Sequence, residues 1–205
     1  MNNPKIIVTT SDHYHHCLPI FFKCWEKHWG GPIELAGYKE PDKLPPYVTF
    51  VSMGEQGAPE DFSTDLAKYF STQPDWFIWM MEDTFIKGVD RFEIEFLTGF
   101  CKRGVGRIGL TRDVVKREHE VIWTGDYSIA KADPKSAYRL STQPSIWNRS
   151  FLLQYLKPGL TPWKFETQET NDNWTVYGAI RSAVSHNEGV RKHDIHKLNL
   201  DGIEI

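Results

Sequence analysis

The chain has 205 residues, and its 24 Lys and Arg stand against 27 Asp and Glu for a formal net charge of −3. That near balance excludes a polybasic nucleic-acid arm and an acidic solvating tail. Hydrophobic residues make up 40% of the chain and 8 are Trp, enough for a sizeable core, while no uninterrupted apolar stretch is long enough to cross a bilayer.

The N-terminal residues meet Asp12 and His13 soon after a short apolar run, without the basic, apolar and small-residue sections of a secretion signal. Cys17, Cys24 and Cys101 are odd in number, lack C-x-x-C spacing and sit in apolar surroundings, which predicts reduced, buried thiols and a cytoplasmic protein. Residues 5–10 form a β-branched run that predicts a strand, and Ser11-Asp12 offers a cap for a helix over 14–29. Leu18, Phe21, Phe22, Trp25 and Trp29 give that helix a core face, and Gly30-Gly31-Pro32 ends it. Strands follow over 33–38 and 47–53, then a helix over 59–71 and a buried strand over 76–81. A helix over 90–103 and a strand over 105–110 complete the alternation. It predicts an α/β fold with a mostly parallel sheet, helices on both faces and a ligand site beyond the carboxyl ends of the strands.

The C-terminal half is less regular. Strands are predicted over 120–123, 128–132 and 138–141, and helices over 146–156 and 162–170, the latter capped by Thr161 with Pro162 at its first position. Residues 174–184 fit helix or strand equally. No internal repeat or linker interrupts residues 1–205, which reads as one domain.

Three segments carry chemistry. In Trp76-Phe77-Ile78-Trp79-Met80-Met81-Glu82-Asp83, two adjacent carboxylates end a run apolar enough for a central strand. Mg²⁺ and Mn²⁺ take carboxylate oxygens and share their shell with substrate phosphates, so this pair can hold such an ion beside a diphosphate. Taken alone, the pair also fits a simple turn cap. The first strand ends in Thr9-Thr10-Ser11-Asp12, whose hydroxyl and carboxylate groups suit hydrogen bonds to a nucleobase or ribose, or a plain helix cap. The third segment runs from Tyr138-Arg139-Leu140-Ser141-Thr142-Gln143-Pro144-Ser145-Ile146-Trp147 through Leu152-Leu153 and Leu156 to Pro162-Trp163-Lys164-Phe165-Glu166.

Strand-end Glu82-Asp83, then Q-P-x-x-W, L-L-x-x-L and P-W-x-x-E in that order, resembles small GT-A-type nucleotide-sugar glycosyltransferases of bacterial and viral polysaccharide clusters. The resemblance covers most of the chain, with Glu82-Asp83 as an imperfect form of the family's D-x-D element. It implies a GT-A-like, Rossmann-like sheet in which residues 1–112 bind a nucleotide sugar, such as a UDP-sugar, and residues 113–205 face the acceptor. It further implies Asp83 as the contact to Mn²⁺ or Mg²⁺, and Glu82, Thr9, Thr10, Asp12 and Gln143 on the donor. Trp163 and Glu166, three apart on one helix face, then suit a sugar platform beside a base that takes the proton of an acceptor hydroxyl. The acceptor implied is a glycan or another hydroxyl-bearing compound, a modified nucleic-acid base included. A late histidine, among His186, His193 and His196, would complete the metal shell in such enzymes.

Other matches fail on context. Gly104-Val105-Gly106-Arg107-Ile108-Gly109 fits G-x-G-x-x-G but enters a strand instead of leaving one, and reads as a turn. His13, His15 and His16 lack metalloprotease spacing. Lys116-Arg117 and Arg191-Lys192 are diluted by nearby acids and read as surface charge. The rival functional classes are a non-catalytic carbohydrate- or nucleotide-binding module and a nucleotidyltransferase, the second lacking its Gly- and Arg-rich phosphate loop.

Overall fold

The computed structural model describes residues 4–125 and 127–188. Strand β1 (Lys5–Thr9) leads into a 3₁₀ turn over Asp12–Cys17 and then α1 (Leu18–His28). The expected single helix is thus divided, and Pro19 accounts for it. Its ring has no N–H and clashes with the carbonyl four residues back, so the α-helix starts with the proline in its first turn. Ser11 makes no side-chain cap bond. Next come β2 (Ile33–Gly37), β3 (Val48–Ser52), α2 (Phe62–Phe70), β4 (Trp76–Met81), β5 (Thr84–Val89), α3 (Arg91–Thr98) and β6 (Val105–Gly109). Asp90 caps α3 by accepting from the Glu93 N–H at 3.0 Å.

The second half contains β7 (His119–Thr124), β8 (Tyr127–Ala132), β9 (Ser145–Asn148), α4 (Arg149–Tyr155), α5 (Pro162–Glu166), β10 (Thr175–Ala179) and β11 (Val184–Glu188). Two expectations are corrected here, and one open stretch is resolved. The helix expected over 146–156 opens with a central strand, because Asn148 ends β9 and its side chain then caps α4 through the Phe151 N–H. The strand expected over 138–141 is a turn, with Tyr138 in the left-handed region at φ 60. Arg139 decides that geometry: its buried guanidinium bonds Thr170, Asp172 and the Trp174 carbonyl, partners that lie 31 to 35 residues downstream. The ambiguous stretch over 174–184 holds β10, a turn and the start of β11.

The nine-stranded sheet has the order β3-β2-β1-β4-β9-β6-β10-β8-β7, and β5 and β11 form a small antiparallel pair beside it. Strands β1 to β4, β6, β10 and β7 run one way, with β9 and β8 against them. This is the expected α/β arrangement, mostly parallel and flanked by helices. Side-chain alternation divides the core between its faces. Val8, Ile78, Met80 and Ile146 meet α1 and β5 on one side. Ile7, Phe77, Trp79 and Trp147 meet α2, α4 and α5 on the other. Gly106 serves the second layer, since a Cβ there would stand 2.4 Å from the Phe151 ring. The apparent glycine fingerprint is therefore a turn at Gly104, φ 86, followed by a packing contact.

All three cysteines are free thiols, as expected. Burial pushes Cys17 and Cys101 up to about 12 and Cys24 to about 11, the Glu82 and Asp83 charges adding to the effect at Cys17. Iodoacetamide at pH 8 is therefore expected to label the folded protein on the order of 100-fold more slowly than the protein in denaturant, because only the thiolate reacts. Rapid labelling in the native state, read by intact mass, would contradict the packing around these residues.

Candidate active site

The register of β1 and β4 builds the centre of the site. Thr9 pairs with Met81, so Thr10 and Glu82 leave the sheet side by side, and the Glu82 N–H donates to the Thr9 carbonyl at 3.2 Å. Chain order reverses here, with β2 and β3 on one side of β1 and β4 on the other, and such a crevice beyond the strand ends is the usual ligand position in open α/β sheets. A cavity of about 360 Å³ lies over it. Thr9, Thr10 and Glu82 form its polar floor, and Tyr38, Phe62 and Trp163 give it aromatic walls.

Glu82 is 2% exposed. Its Oε1 accepts from the Ser11 N–H at 3.3 Å, whereas Oε2 is buried without a hydrogen-bond partner. Burial, and secondarily the Asp83 charge, pushes this carboxyl up to about 8, against smaller opposing hydrogen bonds from its own N–H, the Ser11 N–H and the Thr10 hydroxyl. Burial thus favours the protonated form of Glu82, which can donate as well as accept. Asp83 follows it half-buried, close enough to raise Tyr14 and Cys17 together with Glu82.

A second cavity of about 1000 Å³ opens over the ends of β6, β9 and β10, lined by Thr111, Gln143, Glu166 and the start of β11. Glu166 Oε1 accepts from the Thr142 N–H at 2.6 Å and from the Thr142 hydroxyl at 2.7 Å, which fixes the carboxylate and leaves Oε2 without a partner among the described residues. Asp113 lies in the same cavity with both oxygens engaged. Oδ2 is paired with the fully buried Arg107 at 2.5 Å, and Oδ1 accepts from the Thr111 hydroxyl at 3.2 Å. Helix α5 borders both cavities, since Trp163 lines the smaller and Glu166 the larger.

The structure thus brings Thr9, Thr10, Glu82 and Trp163 together, and sets Gln143 with Glu166. Trp163 and Glu166, expected to flank one sugar, line different cavities. Asp12 lines neither: its carboxylate accepts from the Lys39 N–H at 3.1 Å and its own N–H donates to Gln56, so it ties the chain after β1 to the loops after β2 and β3. Lys116 and Arg117, read as surface charge, line the larger cavity, as does His186, while His193, His196 and the Arg191-Lys192 pair lie outside the described residues. Tyr38, Met53 and Phe62 were missed by the sequence reading because they come from the ends of β2 and β3 and the start of α2 and look like ordinary core.

No group of three or more His, Cys, Asp and Glu is placed to hold a metal ion among the described residues. Asp83, expected as the metal contact, is half-buried and lines neither cavity.

No family model matches the chain, and no curated protein matches it in sequence. Solved structures do. HddC from Yersinia pseudotuberculosis superposes with a TM-score of 0.50 at 10% identity, over 90% of this chain and 93% of that one. The chain shares the α/β fold of HddC. The galactosyltransferase LgtC, solved with donor and acceptor sugar analogues, aligns at a TM-score of 0.46 and 12% identity over 73% of this chain, and an active-site mutant of LgtC at 0.42 and 9%. This chain spans 59% of the length of LgtC. At these identities the likeness concerns the fold alone.

Proposed function

We propose that the protein is a glycosyltransferase that moves a sugar from a nucleoside-diphosphate sugar to an acceptor hydroxyl. The observation that carries this reading is the pair of cavities at one sheet edge, bordered by a single helix: an apolar slot with a hydrogen-bonding floor beside a larger polar chamber containing an available carboxylate oxygen. The slot suits a nucleoside, whose ring would lie among Tyr38, Phe62 and Trp163 while Thr10 and Glu82 bond its polar edge. The thiols, all of them free, suit a reducing compartment, and we place the protein in the cytoplasm on that ground. No helix among the described residues is long and apolar enough to cross a membrane.

In the chamber, Glu166 Oε2 takes the proton of the acceptor hydroxyl as that oxygen attacks the anomeric carbon, and Thr142 keeps the carboxylate aimed. Gln143 lies beside it and offers an amide to the sugar hydroxyls. Asp83 would hold Mn²⁺ or Mg²⁺ together with the donor's diphosphate, and the ion would offset charge on the departing phosphate. Calorimetry with UDP and other nucleoside diphosphates, with and without Mn²⁺, tests the assignment. Binding by at least one is expected, and absence of binding by all of them would refute it. A carbohydrate-binding module would instead take up a glycan and ignore the nucleotide.

Trp163 is 68% exposed, so its removal should cost little stability. Trp163→Ala is expected to weaken the nucleoside diphosphate that binds by about fivefold to tenfold, the scale of one lost base–aromatic stack. If nucleotide affinity stays unchanged while acceptor KM rises, the indole faces the acceptor sugar instead.

A further inference from the structure

The chain is acidic overall, yet the larger cavity gathers Lys87, Arg112, Lys116 and Arg117 around Gln143 and Glu166. Two carboxylates line the same space, but they do not balance these cations. Asp113 is neutralised from behind by Arg107, which is fully buried and does not itself line the cavity. Glu166 remains as one anion facing Arg112, Lys116 and Arg117. Arg112 and Lys116 are exposed and have no ion-pair partner among the described residues, while Arg117 lies over the Tyr138 ring at 4.9 Å. Holding several like charges around one concavity is unfavourable unless an anion enters it. The smaller cavity contrasts with it, because its lining holds no Lys, Arg or Asp.

Building on the glycosyl-transfer reading, we infer that the larger cavity is the acceptor subsite and that it selects a sugar carrying a phosphate group, bound by Arg112 and Lys116 with its free hydroxyl toward Glu166. Guanidinium and ammonium groups at a cavity rim suit a phosphate monoester, the guanidinium through paired hydrogen bonds and the ammonium as a point charge. The lining favours a compact sugar phosphate over a polynucleotide. The cations gather in one chamber instead of following a stripe, and of the two rings among the described lining residues, Tyr138 and His186, the first is already covered by Arg117. The exposed Trp123 and Val121 of β7, which could stack or pack on bases, do not line the chamber. A volume of about 1000 Å³ holds a small phosphorylated glycan.

The test uses the full chain and pairs of probes differing only in phosphate: glucose against glucose 1-phosphate and glucose 6-phosphate, titrated by calorimetry at low and high salt, with UDP measured in parallel. At least one phosphorylated hexose is expected to bind about tenfold or more tightly than glucose, and to lose most of that advantage at 0.5 M salt. The double variant Arg112→Gln/Lys116→Gln is expected to abolish the preference, leave UDP affinity unchanged and retain the wild-type melting temperature. Equal binding of glucose and both its phosphates, or a preference that survives the double variant, overturns the inference. So does a larger loss of UDP than of hexose phosphate, which would make the cations a donor diphosphate site, and so does tighter binding of a single-stranded oligonucleotide. If no nucleoside diphosphate binds while the hexose phosphate does, the transferase reading fails and the anion site stands.

Discussion

Glu166→Gln is expected to lower sugar transfer by a factor on the order of 10² to 10⁴, the range that a positioned general base contributes. Nucleoside-diphosphate affinity and the melting temperature should stay close to wild type. The geometry makes the substitution clean. A glutamine oxygen can still accept from the Thr142 N–H and hydroxyl, so the side chain keeps its place, while an amide nitrogen replaces the oxygen that has no partner. Only proton acceptance is lost. Asp113 is the alternative base in the same cavity, and its engagement with Arg107 and Thr111 argues against it. Single-turnover transfer, with donor hydrolysis followed separately, distinguishes them. Undiminished transfer by the Glu166→Gln protein would reject the assignment and move attention to Asp113→Asn.

The parts of this site that could be read from the sequence are those that depend on one element at a time. An apolar run ending in Glu82-Asp83 reads as a central strand with acids at its carboxyl end, and β4 has those bounds. Thr161-Pro162 reads as a helix start, and the Thr161 hydroxyl does accept from the Lys164 N–H. What escaped depends on where distant elements meet. Lys116 and Arg117 look diluted among Glu118 and Glu120 in the chain, but the fold sets them with Lys87 of β5 around one chamber. Residues 138–141 have a composition that suits a strand, and a buried Arg139 overrides it by requiring Asp172, whose carboxylate also accepts from Tyr155. Trp163 and Glu166 are three apart, which places them on neighbouring surfaces of α5, and only the positions of β4 and β9 beneath that helix decide that each borders a different cavity. Helical spacing fixes direction within an element and says nothing of what lies opposite.

Stability should depend on pH through Glu82, with a sign opposite to that of a salt-bridged carboxylate. In the unfolded chain this group ionises around its ordinary value of 4.5, whereas the folded protein holds the proton up to about 8. Between those values the unfolded state releases a proton that the native state retains, so each pH unit costs folding about 1.4 kcal/mol. The contribution is complete below 4.5, is lost as pH rises toward 8 and is level beyond it, a span on the order of 5 kcal/mol. Glu82→Gln cannot ionise, yet its oxygen can still accept from the Ser11 N–H. Chemical denaturation in EDTA at pH 5 and pH 8.5 should therefore show a much smaller loss of stability for Glu82→Gln than for wild type, and the difference between the two losses isolates this carboxyl from all other titrating groups. Parallel losses would mean that Glu82 is ionised in the folded protein, and the smaller cavity would then present an anion instead of a hydrogen-bond donor to whatever binds there.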